Sequence, residues 1–295
     1  MNYMVHNNVN NSFSDTKMQE DAYLLASKNT HDTIRKRKKV VLLSTHFIND
    51  FILSKYQRLR RELQGNEYDV ILLVNKTHEL DYTTPEDVSC FFTDCDSLNA
   101  LGYEPIEETL IPGSCHFPVF RFFLDHPYYD YYWLVEYDVE YTGNWSELMI
   151  DCDTNLQDYA FITCHVEKFD QQKNGNWVWW YNSNHLGLKP DACVKGFNPI
   201  CRFSNKALEY LDEIQKSGAS AHSEVIITTS LYQSGYKIGD IGGQGDFVPD
   251  GYKDKYYLAK PGSCNDGTMR YRPIYKSEDI LGYGLVNKLY HPVKE

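Results

Sequence analysis

The 295 residues contain no CxxC pair, and the eight cysteines (Cys90, Cys95, Cys115, Cys152, Cys164, Cys193, Cys201 and Cys264) follow no regular spacing. A thiolate zinc cage is therefore not expected. Several of these cysteines stand in apolar, strand-like runs, where a free thiol packs as a small hydrophobe; the even count leaves disulfides open. No run approaches the roughly 18 apolar residues of a membrane span, and the N-terminal stretch lacks an apolar signal-peptide core. These absences predict a soluble protein of a reducing, cytoplasmic compartment, with no transmembrane segment and peripheral membrane contact left open. Positive charge is also scarce, since 29 Lys and Arg face 41 Asp and Glu for a formal net charge of -12. Such a surface repels a nucleic-acid backbone and has no general attraction for anionic membranes. No nucleic-acid partner is expected, although a local basic patch could still hold one phosphate, so nucleotides are not excluded.

What is present is enough apolar material for a substantial core: 42% hydrophobic and 15% aromatic residues. Residues 1–37 are Asn-rich, polar and then basic, and read as a polar N-terminal extension. The remainder, 38–295, shows no internal repeat and no linker, and reads as a single domain. Its first element is Val40, Val41, Leu42 and Leu43 followed by Ser44 and Thr45, the pattern of a buried parallel strand with a polar exit. Asn49 can cap a helix whose Ile52, Tyr56, Leu59 and Leu63 share one face, ended by Gly65 and Asn66. A second apolar strand over 68–74 leaves at Asn75 and Lys76, completing a βαβ unit with a right-handed crossover. A short strand is expected over 88–93, and a helix opened by Pro118 that lines up Phe117, Phe120, Phe123 and Leu124. Further on, a strand is expected over 158–165, a Trp-rich hairpin or loop over 174–181, and two helices over 204–216 and 220–234, each with Ser as N-cap. Residues 235–295 read as mostly irregular.

Residues 130–145, DYYWLVEYDVEYTGNW, carry the most chemistry. An apolar, aromatic strand runs into Glu136, Asp138 and Glu140, spaced two apart. If the backbone stays extended, period two places the three carboxylates on one face, where like charges need a cation or strong donors. A divalent metal is the simplest answer; solvation, or pairing with Lys or Arg, is the ordinary alternative. The strand end is also where open α/β sheets bind ligands.

This order of elements, with Glu136-Tyr-Asp138-Val-Glu-Tyr-Thr142-Gly143 and the ending Tyr290-His291-Pro292-Val293-Lys294, resembles a GT-A fold glycosyltransferase. The likeness is to a GT-A-like group with Glu-x-Asp-x-x-x-Thr-Gly at this point, and it spans roughly residues 39–295. It implies a Rossmann-like, mixed and mostly parallel sheet flanked by helices. It further implies transfer of a sugar from a nucleotide-sugar, in the first instance a uridine diphosphate sugar, to a glycan or lipid-linked acceptor, as in polysaccharide biosynthesis. By the same resemblance Asp138, Glu140 and His291 are the ligands of a divalent metal, Mn or Mg. Glu140 stands where the pattern has Asp, so Glu136 is an alternative ligand or supporting group. Ser44, Thr45, His46, Asn75 and Lys76 fall where nucleoside would lie, or are plain polar loop exits, and Glu224 falls where a base for an inverting transfer is placed; in a retaining transfer Glu224 would have another role. The first-turn position of Glu224 would equally suit the helix dipole.

Three weaker signals come from residue chemistry. Trp177, Trp179 and Trp180 suit stacking on the acceptor's sugar rings or packing in a core. Arg121 would reach a phosphate or pair with a neighbouring acid. The run from Gly239 to Gly245 lacks the GK[ST] of a phosphate loop, and is expected to be a flexible loop able to close over donor. Two other classes use the same residues: a metal-dependent phosphoester hydrolase, and a carbohydrate-binding protein without catalysis. A two-metal hydrolase normally shows more His and Asp ligands than His46, His165 and His291 provide.

Overall fold

The computed structural model describes residues 38–76, 83–107, 113–260 and 263–294; the expected extension over 1–37 lies outside them. In chain order the principal elements are β1 (Lys39–Thr45), α1 (Asp50–Leu63), β2 (Tyr68–Asn75), β3 (Cys90–Thr93), α2 (Cys95–Asn99), α3 (Phe117–Asp125), β4 (Tyr131–Glu136), β5 (Glu140–Tyr141) and α4 (Trp145–Asn155). They are followed by β6 (Phe161–Lys168), β7 (Val194–Ser204), α5 (Asn205–Lys216), α6 (Ser223–Gln233) and β8 (Ile238–Asp240). Seven strands form one sheet in the order β3-β2-β1-β4-β7-β6-β8. All neighbours are parallel except β7, which is antiparallel to both β4 and β6. The mixed, mostly parallel sheet flanked by helices is therefore the architecture that the sequence predicts.

Alternation along β1 explains why the sheet is covered on both sides. Val41 and Leu43 pack with Ile52, Tyr56, Leu59 and Leu63 of α1, the four residues whose spacing predicts that face. Val40 and Leu42 point the other way, onto Phe117, Phe120 and Phe123 of α3 and the apolar sides of α5 and α6. A strand buried on both faces has no polar side to show, which is why β1, β2 and β4 read as continuous apolar runs. The caps behave locally as expected for α1, where Asn49 accepts the Ile52 amide at 3.0 Å, and for α5, where Ser204 accepts that of Ala207 at 3.2 Å. In α6 the cap is not Ser220 but His222, whose Nδ1 accepts the Glu224 amide at 3.3 Å, so the helix starts two residues later than expected. The 174–181 hairpin is also corrected: Val178–Leu186 winds as a 3-10 helix.

The 11-residue strand β7 has no counterpart in the sequence reading. Gly196, Asn198 and Pro199 break its pattern and coincide with the register shifts of β6 against it. Arg202 further disguises it, because this side chain is fully buried in the strand. Its two terminal nitrogens are accommodated by an ion pair with Asp153 at 3.0 Å and by the carbonyls of Cys152, Leu156 and Tyr159, the pairing that a buried charge requires, while Nε has no hydrogen-bond partner.

Parallel β1, β2, β3 and β4 all end at one edge of the sheet, with Ser44 in register with Glu136 and Asn75 with Thr93. The chain end crosses this edge. Leu289 and Tyr290 pair antiparallel with Tyr141 and Glu140 of β5, and the Val293 amide donates to the Asp138 carbonyl at 2.8 Å. No helix among the described residues is long and apolar enough to cross a membrane. Among the described residues, Cys90, Cys95, Cys115, Cys152, Cys164, Cys193 and Cys201 are free thiols.

Candidate functional site

The acids are organised by a break in the strand. β4 stops at Glu136, and the chain turns through Tyr137 and Asp138, with the Tyr137 amide held by the Ser44 carbonyl at 2.9 Å and the Val139 amide by that of Glu136 at 3.0 Å. The turn ends the period of two, so only two of the three acids share a face. Glu136 and Asp138 meet His291, delivered by the β5 pairing, with one potential ligand atom of each within 4.8 Å of the others. Glu140 is a correction. Its carboxylate is held by Arg58 and, at 3.2 Å, by Lys55, both from α1, so for this residue the ion-paired alternative holds. Those partners lie more than eighty residues away in sequence, out of reach of any local pattern.

Asp138 is buried, with 7% exposure. Its Oδ2 accepts from Lys294 Nζ at 2.7 Å, while its Oδ1 has no hydrogen-bond partner. His291 Nε2 stands 3.4 Å from that orphaned oxygen and 3.7 Å from Glu136 Oε2. The other ring nitrogen, Nδ1, lies 2.8 Å from the Arg270 carbonyl. A carbonyl can only accept, so Nδ1 carries hydrogen and a neutral ring would present its Nε2 lone pair to the acids. Burial alone would raise the pKa of Asp138, but His291 and Lys294 outweigh it and bring the pKa to about 2. Burial likewise opposes charge on His291, and there Asp138 and Glu136 win, raising its pKa to about 9. Without a metal the charged ring faces that oxygen as an ion-pair partner 3.4 Å away, and a cation bound there would take the place of its proton. Two hard carboxylates and one imidazole converging there form a donor set that fits Mn or Mg. Lys294 does not close the site, because it takes one oxygen only and keeps a third of its side chain in water.

Glu224, in the first turn of α6, faces the same crevice. Burial raises its pKa to about 7; Lys195 opposes that rise, Glu136 adds to it and His291 opposes it, even though 21% of the side chain stays exposed. Cys115, an exposed residue, directs its thiol to within 3.5 Å of the Ser223 hydroxyl, and the nearby Glu136 and Glu224 charges push its pKa up. Neither Lys195 nor Cys115 carries a sequence signal: one lies in the unrecognised strand, the other in a turn before α3.

The tryptophans separate. Trp179 stacks on His222 with centroids 4.7 Å apart, and Trp177 meets the same ring edge-on at 5.6 Å, so both stand beside the base candidate. Trp180 is a correction: it is fully buried among Cys193 and Val225, its Nε1 donating to the Asn174 carbonyl. On the other side of the acids, Ser44 and His46 adjoin the turn, His46 against Phe47 and Tyr137. Thr45 is buried and its hydroxyl donates to the Phe47 carbonyl at 2.8 Å, so it shapes the loop instead of presenting an oxygen. Asn75 ends β2, two strands from β4. Arg121 is a further correction, its guanidinium engaged by Asp125 one turn along α3. A cavity of about 660 Å³ lined by Arg60, Arg61, Tyr68 and Tyr129 lies at the start of β2, away from the acids.

No family model matches the chain, and no curated protein matches it. Among solved structures it is similar to mouse xyloside xylosyltransferase 1 in its apo form, at 10% identity and a TM-score of 0.38 over 70% of this chain and 85% of that one. It is similar to a mannosyltransferase of Pyrobaculum calidifontis in complex with GDP-Man and Mn2+, at 15% identity and a TM-score of 0.41 over 75% of this chain, which spans 59% of that one. It is also similar to glucosyl-3-phosphoglycerate synthase of Mycobacterium tuberculosis in complex with Mn2+, UDP and phosphoglyceric acid, at 12% identity and a TM-score of 0.36 over 75% and 82% of the two chains. At such distance none of them assigns a residue or a substrate.

Proposed function

We propose that the chain is a glycosyltransferase that moves a sugar from a nucleotide-sugar donor, in the first instance a uridine diphosphate sugar, to a hydroxyl of a glycan or lipid-linked acceptor. The observation that carries this reading is the orphaned Oδ1 of Asp138, buried at the carboxyl edge of the parallel strands with Glu136 and His291 beside it. Asp138, His291 and Glu136 would hold a divalent cation, with Glu140 left to its ion pairs. When bound there, such a cation supplies charge stabilisation for a departing diphosphate.

The protein's own groups account for the remaining steps. The Arg270 carbonyl fixes the His291 tautomer, the device by which a second partner orients a ligating imidazole. Lys294, partly out of the acid cluster, places positive charge beside Asp138 for a diphosphate oxygen, while Lys55, buried and paired with Glu140, steadies the turn through the Val139 carbonyl at 2.8 Å. Ser44, His46 and Asn75 border the nucleoside side. Glu224, increasingly ionised as pH rises through about 7, accepts the proton of the acceptor hydroxyl as its oxygen bonds to the anomeric carbon and the bond from that carbon to the diphosphate breaks, which inverts the configuration. Trp177 and Trp179 present apolar surface to the acceptor ring. A screen of nucleotide-sugars with Mn, reading released nucleoside diphosphate, tests the reading. Phosphate release from simple esters without any sugar donor would favour the hydrolase instead.

A further inference from the structure

A second cavity, of about 390 Å³, opens across β7 from the acid cluster on the same end of the sheet. The end of β6 forms one side and residues 243–247 the other. The Gly-rich stretch that the sequence marks as a closing loop is therefore placed against this cavity, and its base is pinned. The Asp240 carboxylate accepts the amides of Gly242 at 3.0 Å, Gly243 at 2.8 Å and Val166 at 3.1 Å, and the Tyr257 hydroxyl at 2.8 Å. A Cβ at Gly242 would meet the Tyr257 amide nitrogen at 2.7 Å, and one at Gly243 the Tyr257 hydroxyl at 2.7 Å, so close packing demands both glycines. Gly245 has no such demand. Its φ is not left-handed, and the nearest atom to an added Cβ is the Val166 carbonyl oxygen at 3.7 Å. What its missing side chain preserves is the open cavity.

The charges of the lining nearly cancel. Lys173 pairs with Asp170, Lys260 with Asp266 and Glu167 with Lys195; Asp240 is saturated; one lysine, Lys168, and one acid, Asp246, remain. Neither a phosphate nor a cation is selected. Half-buried Phe169 and Phe247 line the cavity instead, the latter beneath the Lys168 ammonium, beside the side-chain carbonyls of Asn174 and Gln244, whose NH2 groups already serve Glu167, the Lys168 carbonyl and Asp254; the volume is in the roughly 300–1,000 Å³ range of ligand sites. That combination suits a neutral, hydroxyl-rich ring. Continuity with the first site comes from Glu167, which lines the cavity and pairs at 3.4 Å with Lys195, whose ammonium lies 5.5 Å from the Trp177 ring.

We propose that this cavity is an acceptor subsite that takes a stretch of neutral oligosaccharide and presents its terminal hydroxyl toward Glu224. The proposal rests on the transferase reading for the role of the ligand, but not for its binding. Neutral di- to tetrasaccharides of glucose, mannose, galactose and xylose, titrated into the full chain and read by ligand-observed NMR, are the probes. At least one series is expected to bind in the millimolar range or tighter, more strongly with length. Gly245→Trp, which fills the cavity from a position with room for a side chain, is expected to weaken that binding at least tenfold while leaving Mn-dependent nucleoside diphosphate binding within about twofold. Hydrogen exchange on the unmutated protein with saturating tetrasaccharide gives a second readout, with protection expected over 166–174 and 242–247. The proposal is overturned if no probe binds, if Gly245→Trp binds as well as the parent, or if protection appears only elsewhere. Loss of oligosaccharide binding in Gly245→Trp, in a protein that shows no Mn-dependent nucleotide affinity, would keep the subsite and sink the donor reading.

Discussion

Glu224→Gln should stabilise the protein at alkaline pH while disabling it. The pKa of this carboxyl is raised from 4.5 to about 7, chiefly by burial. A raised folded-state pKa means that the stabilisation by the protonated form is complete below about pH 4.5 and is lost as pH rises through about 7. At pH 8 the parent therefore carries the cost of an ionised, poorly hydrated group, about 3 kcal/mol from 1.36 kcal/mol per unit. That figure is an upper value, since a fifth of the side chain still touches water, and roughly 0.3–1 kcal/mol must be set against it for the lost attraction to the helix N-terminus. Gln keeps the shape and carries no charge. Urea unfolding of the metal-free protein should show the variant about 2 kcal/mol more stable than the parent at pH 8, and within about 1 kcal/mol of it at pH 5. The catalytic counterpart is a parent kcat/KM that rises about tenfold from pH 6 to pH 8, and a variant that is lower by at least roughly 10²-fold and flat over that range. Equal stability differences at the two pH values, or a Gln variant with the parent's pH profile, would refute the assignment of Glu224 as a desolvated base.

Three further outcomes follow from neighbouring residues. Trp180→Ala, which empties a fully buried site, should cost about 3–5 kcal/mol in denaturant unfolding, whereas Trp179→Ala should cost under about 1 kcal/mol and raise the acceptor KM. Glu140→Gln should leave Mn affinity within about threefold by calorimetry, because that carboxylate serves Arg58 and Lys55, and should lower stability by about 1–3 kcal/mol through the cations it strands. His116, whose pKa is lowered from 6.5 to about 4 by burial, stays neutral in the fold while the unfolded chain takes up a proton. It should therefore account for about 2 kcal/mol of stability lost between pH 7.5 and pH 5, and His116→Asn should flatten that part of the pH–stability curve.

Much of the scaffold is legible in the sequence because β1, α1, β2 and β4 announce themselves through runs and spacings that depend only on near neighbours. The acid cluster is partly legible for the same reason: Glu136 and Asp138 end a core strand, and His291 stands in a recognisable ending. What local pattern cannot convey is the turn at Tyr137 and Asp138. It rotates Glu140 away from the other acids and toward an α1 cation pair separated from it by more than eighty positions. Strand β7 escapes detection because Pro199, Gly196 and a buried Arg202 contradict strand propensity, and only the pairing with Asp153 makes that arginine tolerable. Lys195 is lost along with the strand that carries it. Trp177, Trp179 and Trp180 look alike in sequence, and a short 3-10 helix, not composition, decides which of them faces His222 and which enters the core.

Calorimetric titration of uridine and guanosine diphosphates into the protein, with and without Mn, compared between the parent and Asp138→Asn, bears most directly on the role of the acid cluster. The expected result is nucleotide binding that requires Mn in the parent and is weakened at least about a hundredfold by the substitution. Nucleotide binding indifferent to Mn, or Mn-dependent binding unchanged in Asp138→Asn, would contradict it.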